Sequence, residues 1–175
     1  MWLVKLLTKI NMVLGKIEKI LISIGVAVLF VILIVNAIGR KAGISFYFFD
    51  EISLFLIIWI TFIGMSYCSR KGRHIRMGAI FDLSPFKVQK NMIFVNSIIS
   101  AVVMFYMAYI SVNYVYTVYR WQQQTSALRI PYWIVIVIIP VGFFLAGIHY
   151  VETIVKNIKA KEEVWVSPEQ KSEYE

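Results

Sequence analysis

Charge is what this sequence has least of. Only 16% of its 175 residues are charged, against about 25% in an ordinary soluble domain. Cysteine is nearly absent as well. Cys68 stands alone, which excludes an internal disulfide and any cysteine-only metal site. Two histidines and no His-Glu-x-x-His exclude the common zinc hydrolase pattern. No glycine-rich phosphate loop and no nucleophile-base pair can be found. What fills the chain instead is apolar: 59% of its residues, with a mean hydropathy of +0.73. The net charge of +8 is the composition of a nucleic-acid binder only superficially. The basic residues lie beside apolar runs, as they do in a membrane protein that sets its topology by charge.

Four apolar runs are long enough to cross a bilayer. They cover residues 20–39, 52–69, 91–119 and 130–151. A helix of about 20 residues spans the roughly 30 Å hydrocarbon layer. None of the four runs contains Asp, Glu, Lys or Arg. The third is longer than the layer needs, so it is expected to tilt or project. Its tyrosines, Tyr106, Tyr109, Tyr114, Tyr116 and Tyr119, crowd its last third. Pro131 opens the fourth run, where proline costs little, and Pro140 falls inside it as a kink site. Small residues repeat on one face of the second run (Thr61, Gly64, Cys68) and in the fourth (Gly142, Ala146), a pattern suited to helix contact. Gly39 and Gly43 read more simply as the end of the first helix.

The fold class expected is therefore an all-α integral membrane protein: four transmembrane helices in a single domain over residues 1–165, preceded by a basic amphipathic helix. That helix covers about residues 1–19. Lys5, Lys9 and Lys16 fall on one stripe, opposite Leu3, Leu6, Leu7 and Ile10, as in a helix lying among headgroups. Residues 166–175 read as a polar C-terminal tail, disordered at its end. Fourteen Lys and Arg lie on one side of the spans and only Arg40, Lys41, Arg120 and Arg129 on the other. Both termini and the loop after span two are thus expected in the cytoplasm. From that loop Lys71, Arg73, His74 and Arg76 form with Lys5, Lys9 and Lys16 a basic rim for phospholipid headgroups.

The missing intramembrane charge also bears on function. Ion-coupled carriers keep an ionisable or discontinuous site near the midplane; here no Asp, Glu, Lys or Arg lies inside a span, and the chain shows neither a clear inverted repeat nor paired broken helices. A haem between His74 and His149 would need both at comparable depth, and His74 lies in the polar loop. No cofactor, no metal and no catalysis are expected, and no nucleic acid partner. A scaffold or accessory subunit fits best. Asp50 and Glu51 open span two as helix-capping acids, with Asp50 the better cap. Glu51 is left for Arg40 or for a partner chain.

One resemblance is specific. The acidic pair Asp50-Glu51, Trp59, Gly64, the run Arg70-Lys71-Gly72-Arg73-His74-Ile75, and Leu128-Arg129-Ile130-Pro131-Tyr132-Trp133 with Pro140 follow one another along almost the whole chain. In that order they resemble the small membrane subunit of tripartite ATP-independent periplasmic (TRAP) transporters, the DctQ-like family. Four residues past the loop histidine, where the family often carries Asp, stands Gly78, and Asp82 follows. The resemblance implies a scaffold subunit of a sodium-driven importer of an organic acid, such as a C4-dicarboxylate or sialic acid, in the bacterial inner membrane. It implies two partners, a large membrane subunit and a periplasmic substrate-binding protein. Asp50, Glu51, Trp59, Gly64 and Arg70 are then candidates for the subunit interface. An accessory subunit of an unrelated complex and a small autonomous exporter are the alternatives.

Overall fold

The computed structural model describes residues 2–43, 47–72, 85–160 and 165–169. The described chain is helical almost throughout. Helix α1 covers Trp2–Lys41, α2 Tyr47–Lys71, α3 Phe86–Arg120, α4 Tyr132–Ile136 and α5 Ile138–Lys159. Among the described residues no strand forms; Gln124 and Pro131 make an isolated bridge. Four stretches are long and apolar enough to cross a membrane: Leu14–Lys41, Tyr47–Lys71, Val88–Arg120 and Tyr132–Lys159. The sequence reading of four membrane helices holds. The expected boundary near Lys19 is not a break, because α1 runs without interruption from Trp2 to Lys41.

The helix ends follow from local chemistry. Gly43 and Gly72 adopt φ of 78° and 63°, the left-handed conformation that closes a helix and that glycine takes without steric cost. Helix α3 closes the same way with no glycine. Gln122 has φ of 50°, its N–H donates to the Tyr119 carbonyl at 3.1 Å, and the Gln123 N–H donates to Val118 at 3.4 Å. That pair of bonds is a Schellman closure. The fourth span divides at Val137 into α4 and α5. Pro140, lacking an N–H, cannot bond the Ile136 carbonyl one turn back, so the helix is weakest at that turn.

By its contacts the chain forms two compact units, Met1–Gly64 with Asn113–Ile139, and Met65–Val112 with Pro140–Glu175. In the first, α1 and α2 meet closely at Gly25, where a Cβ would stand 2.9 Å from Ile60 Cγ1. Tyr119 meets the Trp133 ring edge-on at 5.8 Å, and Val118, Val135 and Ile136 are buried. In the second, small residues bring α3 and α5 together. Ala101, Ala108 and Ala146 are buried, and Gly147 leaves room for Phe105, whose ring would stand 3.1 Å from an added Cβ. Phe105 in turn packs edge-on against Phe144 at 5.9 Å. Gly142 and Ala146, the small pair of the fourth run, are both buried. The Thr61-Gly64-Cys68 stripe is used differently: a Cβ on Gly64 would meet nothing within 4 Å.

Candidate functional site

Two polar clasps tie the ends of these helices, one in each unit. The first is built on Asp50. Its helix begins at Tyr47, so Asp50 lies inside the first turn and is not the N-cap residue expected from the sequence. Its carboxylate reaches back to α1 instead. Arg40 Nη2 donates to both oxygens at 2.8 and 2.7 Å, and Asn36 Nδ2 donates to Oδ1 at 2.7 Å. Asn36 is 5% exposed, while the Arg40 and Asp50 side chains are about half exposed. The only strongly polar side chain of the first apolar run thus finds its partner within the chain. Arg40, expected as a partner of Glu51, belongs to Asp50.

Glu51 has another task. Its Oε2 accepts the backbone N–H of Leu128 at 2.7 Å, pinning the connection between α3 and α4. That connection is ordered by its own bonds. The Thr125 N–H donates to the Ile130 carbonyl at 3.0 Å, and Tyr132 N–H to Gln123 at 2.9 Å. Ile130 N–H donates to Thr125 Oγ1 at 3.0 Å, and Arg129 sits at φ of 53°. Below it, Trp59 Nε1 donates to the Val135 carbonyl at 3.1 Å, joining α2 to α4.

The second clasp is built on Arg70, whose side chain is fully buried. Its Nε faces Glu169 Oε1 at 3.3 Å, and Lys71 Nζ faces the other carboxylate oxygen at 2.5 Å. The guanidinium also lies 5.6 Å from the Tyr67 ring centre, within cation–π range. Glu169 arrives on a segment, 165–169, that folds back onto α5. Asn157 holds it by two bonds, Nδ2 to the Trp165 carbonyl at 2.5 Å and Oδ1 from the Trp165 N–H at 2.9 Å. Lys156 Nζ donates to the Pro168 carbonyl at 2.6 Å and lies over the Trp165 ring. Ser167 is buried. Of the polar tail read at 166–175, residues 166–169 are thus docked on α5, and its last residues, 170–175, lie outside the described residues. Lys90 Nζ donates to the Ala160 carbonyl at 2.7 Å, a cation at a helix C-terminus, where it meets the negative end of the dipole.

The interior of this second unit is polar. Ser66, Ser69, Gln89, Ser97, His149, Thr153 and Asn157 are all buried. Thr153 and Asn157 bond back to the carbonyls one turn earlier, His149 and Thr153. Both ring nitrogens of His149 are buried without a hydrogen-bond partner among the described residues.

The candidates read from sequence thus divide. Asp50, Glu51, Trp59 and Arg70 are engaged inside the chain, and Gly64 is open. Lys71 is engaged with Glu169, and Lys16 is exposed. For Lys5 and Lys9 only the helical backbone is described, and Arg73, His74 and Arg76 lie outside the described residues. The sequence reading did not identify Asn36 as the partner of Asp50, nor Leu128, Asn157 and Glu169. Among the described residues no three His, Cys, Asp or Glu side chains converge as metal ligands.

These features define a class: a multi-pass membrane protein whose polar side chains at the helix ends bind its own helices together. The chain belongs to the DctQ component family of tripartite ATP-independent periplasmic transporters, whose family model matches residues 29–160. It is similar to the ectoine TRAP transporter small permease protein TeaB of Halomonas elongata, with 38% identity over 158 residues, covering 90% of this chain and 82% of that protein. It is a small permease subunit of a TRAP transporter, a class of membrane transport component and not a class of enzyme.

Proposed function

We propose that this chain is the fixed scaffold subunit of a sodium-driven importer. A large membrane subunit would hold substrate and sodium, and a periplasmic binding protein would deliver the substrate. One observation carries the reading. The four apolar runs, residues 20–39, 52–69, 91–119 and 130–151, hold no ionisable acid or base of the Asp, Glu, Lys or Arg type. The acids that open α2 are bound to Arg40, Asn36 and Leu128. Ion-coupled carriers keep an ionisable foothold near the midplane for their cargo; no Asp, Glu, Lys or Arg in these runs supplies one, and we assign that foothold to another subunit. The substrate class we favour is a small solute bearing a carboxylate. The ectoine of the relative's name is one such solute, a zwitterion with a single carboxylate, and C4-dicarboxylates and sialic acid share that group.

Reconstitution tests this. Proteoliposomes holding the chain alone should show no sodium-dependent uptake. Uptake should appear when the large subunit, the loaded binding protein and a sodium gradient are all supplied. Sodium-dependent uptake by the chain alone would overturn the scaffold reading.

We further propose an inner-membrane orientation with both termini cytoplasmic, supported by the fourteen-to-four charge asymmetry. In a Cys68→Ser background, a single cysteine at Ser126, an exposed position of the α3–α4 connection, should react with an impermeant thiol reagent in intact spheroplasts. One at Ser84 should react only after lysis. The reverse pattern would invert the topology. In this orientation Lys5, Lys9, Lys16, Arg73, His74 and Arg76 line the cytoplasmic headgroup layer, where anionic phospholipid attracts basic residues.

A further inference from the structure

Two outward tyrosines on α3 stand where lipid would leave their hydroxyls without partners. Tyr106 and Tyr109 are 61% and 67% exposed. At 3.6 residues per turn they fall opposite the buried line of Ile93, Ser97, Ala101 and Ala108, with Val102 between them on the outer face. Neither hydroxyl has a hydrogen-bond partner among the described residues. Their depth follows from sequence alone. The charge-free stretch of α3 covers residues 91–119, and about 20 of these fill the hydrocarbon layer. Every window of that length within the stretch contains both tyrosines. An interfacial belt accounts for Tyr116 and Tyr119 near the Arg120 end, and reaches Tyr109 only in the registers that end close to it; Tyr106 stays at least four residues, about 6 Å, inside the layer in every register.

The outer face of α5 provides the contrast within the same unit. Val141, Phe144, Ile148, Val151, Val155 and Ile158 are all exposed and all apolar. That face needs only lipid. A hydroxyl in hydrocarbon, by comparison, has no water to bond and gains by finding an acceptor on another helix.

We propose that the Tyr106–Tyr109 face of α3 is the surface that packs against the large membrane subunit, with acceptors on that subunit receiving the two hydroxyls, while the outer face of α5 faces lipid. The assignment rests on the scaffold reading above and adds to it which helix makes the contact.

The test uses the complete two-subunit membrane complex. A photoreactive benzoyl-phenylalanine is placed singly at Tyr106, Tyr109, Phe144 or Val151, with the chain and its large membrane subunit co-expressed and irradiated in the membrane. Crosslinks to the large subunit are expected from 106 and 109 and not from 144 and 151. The double variant Tyr106→Phe/Tyr109→Phe keeps the ring shapes and removes both hydroxyls. Interhelical hydrogen bonds in membranes average about 0.6 kcal/mol each, so retention of the large subunit in mild detergent should fall by roughly five- to tenfold. Crosslinks from 144 or 151 with none from 106 or 109 would overturn the assignment and leave the scaffold reading standing. So would crosslinks from neither face in a complex that still co-purifies. Unchanged retention of the large subunit by the double variant would overturn the role of the hydroxyls. If unsubstituted chain and large subunit do not co-purify at all, the scaffold reading fails and the assignment with it.

Discussion

Glu169→Gln should lower the melting temperature of the purified subunit by roughly 4–12 °C, more than Lys71→Ala. Arg70 is the reason. Its side chain is fully buried, and Glu169 is the carboxylate that faces it. Breaking a buried pair by removing one partner costs about 3–5 kcal/mol, because the remaining charge is left in a medium that solvates it poorly. Glu169 is itself 28% exposed, and Arg70 keeps its contact with Tyr67. Both soften the loss to about 2–3 kcal/mol, and in a chain of this size each kcal/mol moves the midpoint by about 2–4 °C. Lys71 shares the same carboxylate but is 39% exposed, so Lys71→Ala should cost less than about 1 kcal/mol. Replacing both buried partners together, Arg70→Met with Glu169→Leu, should recover most of the stability, since a buried ion pair rarely outperforms an apolar pair of similar volume. Thermal unfolding in one detergent decides it. Equal shifts for Glu169→Gln and Lys71→Ala would show that burial of Arg70 does not set the energetics here.

The second large effect is expected at Asp50, and its size comes from the less conspicuous of its two partners. The Arg40 pair has the shorter list of requirements for notice: opposite charges and two bonds. Both side chains are about half exposed, however, and such pairs contribute about 0–1 kcal/mol. Asn36 is almost fully buried, and an amide stripped of its partner there costs about 1–3 kcal/mol. Asp50→Leu should therefore destabilise by about 1–4 kcal/mol and Arg40→Ala by less than about 1. With Asn36→Leu already in place, Asp50→Leu should cost much less, because the buried amide is gone. The double-mutant cycle, read by thermal unfolding, should give a coupling between residues 36 and 50 larger than that between 40 and 50. The opposite order would assign the clasp to the ion pair.

What the sequence made readable follows a simple division. The spans were legible because hydrocarbon thickness and the absence of charge constrain each one locally. Gly43 marked the end of the first helix because its lack of a Cβ favours the left-handed turn that closes it. The clasps were not legible in the same way. Asp50 before an apolar run fits helix capping, and only the fold shows that the helix starts at Tyr47 and that Asn36 is within reach. Glu51 and Leu128 are 77 positions apart, and nothing local to either announces the other. Arg70 beside a span reads as a candidate for the subunit interface, and Glu169 reads only as part of a polar tail. Nothing local to either residue shows that the folding of 165–169 onto α5 brings Glu169 to Arg70.

The connection between α3 and α4 holds Gln122 and Arg129 at φ of 50° and 53°, a region that costs a side-chain-bearing residue about 1 kcal/mol. Gln122 regains part of this, because its side-chain amide donates to the Tyr119 carbonyl at 3.1 Å. Among the described residues Arg129 has no such return beyond the backbone bond to Thr125. For anyone stabilising this protein for purification, Arg129 is consequently the first position to change. Asparagine is the replacement of choice, since it tolerates the left-handed region without the added unfolded-chain freedom of glycine. The change would also remove a positive charge from an exposed loop, so a thermostable variant made this way should be matched for surface charge before its assembly is compared with that of the natural chain.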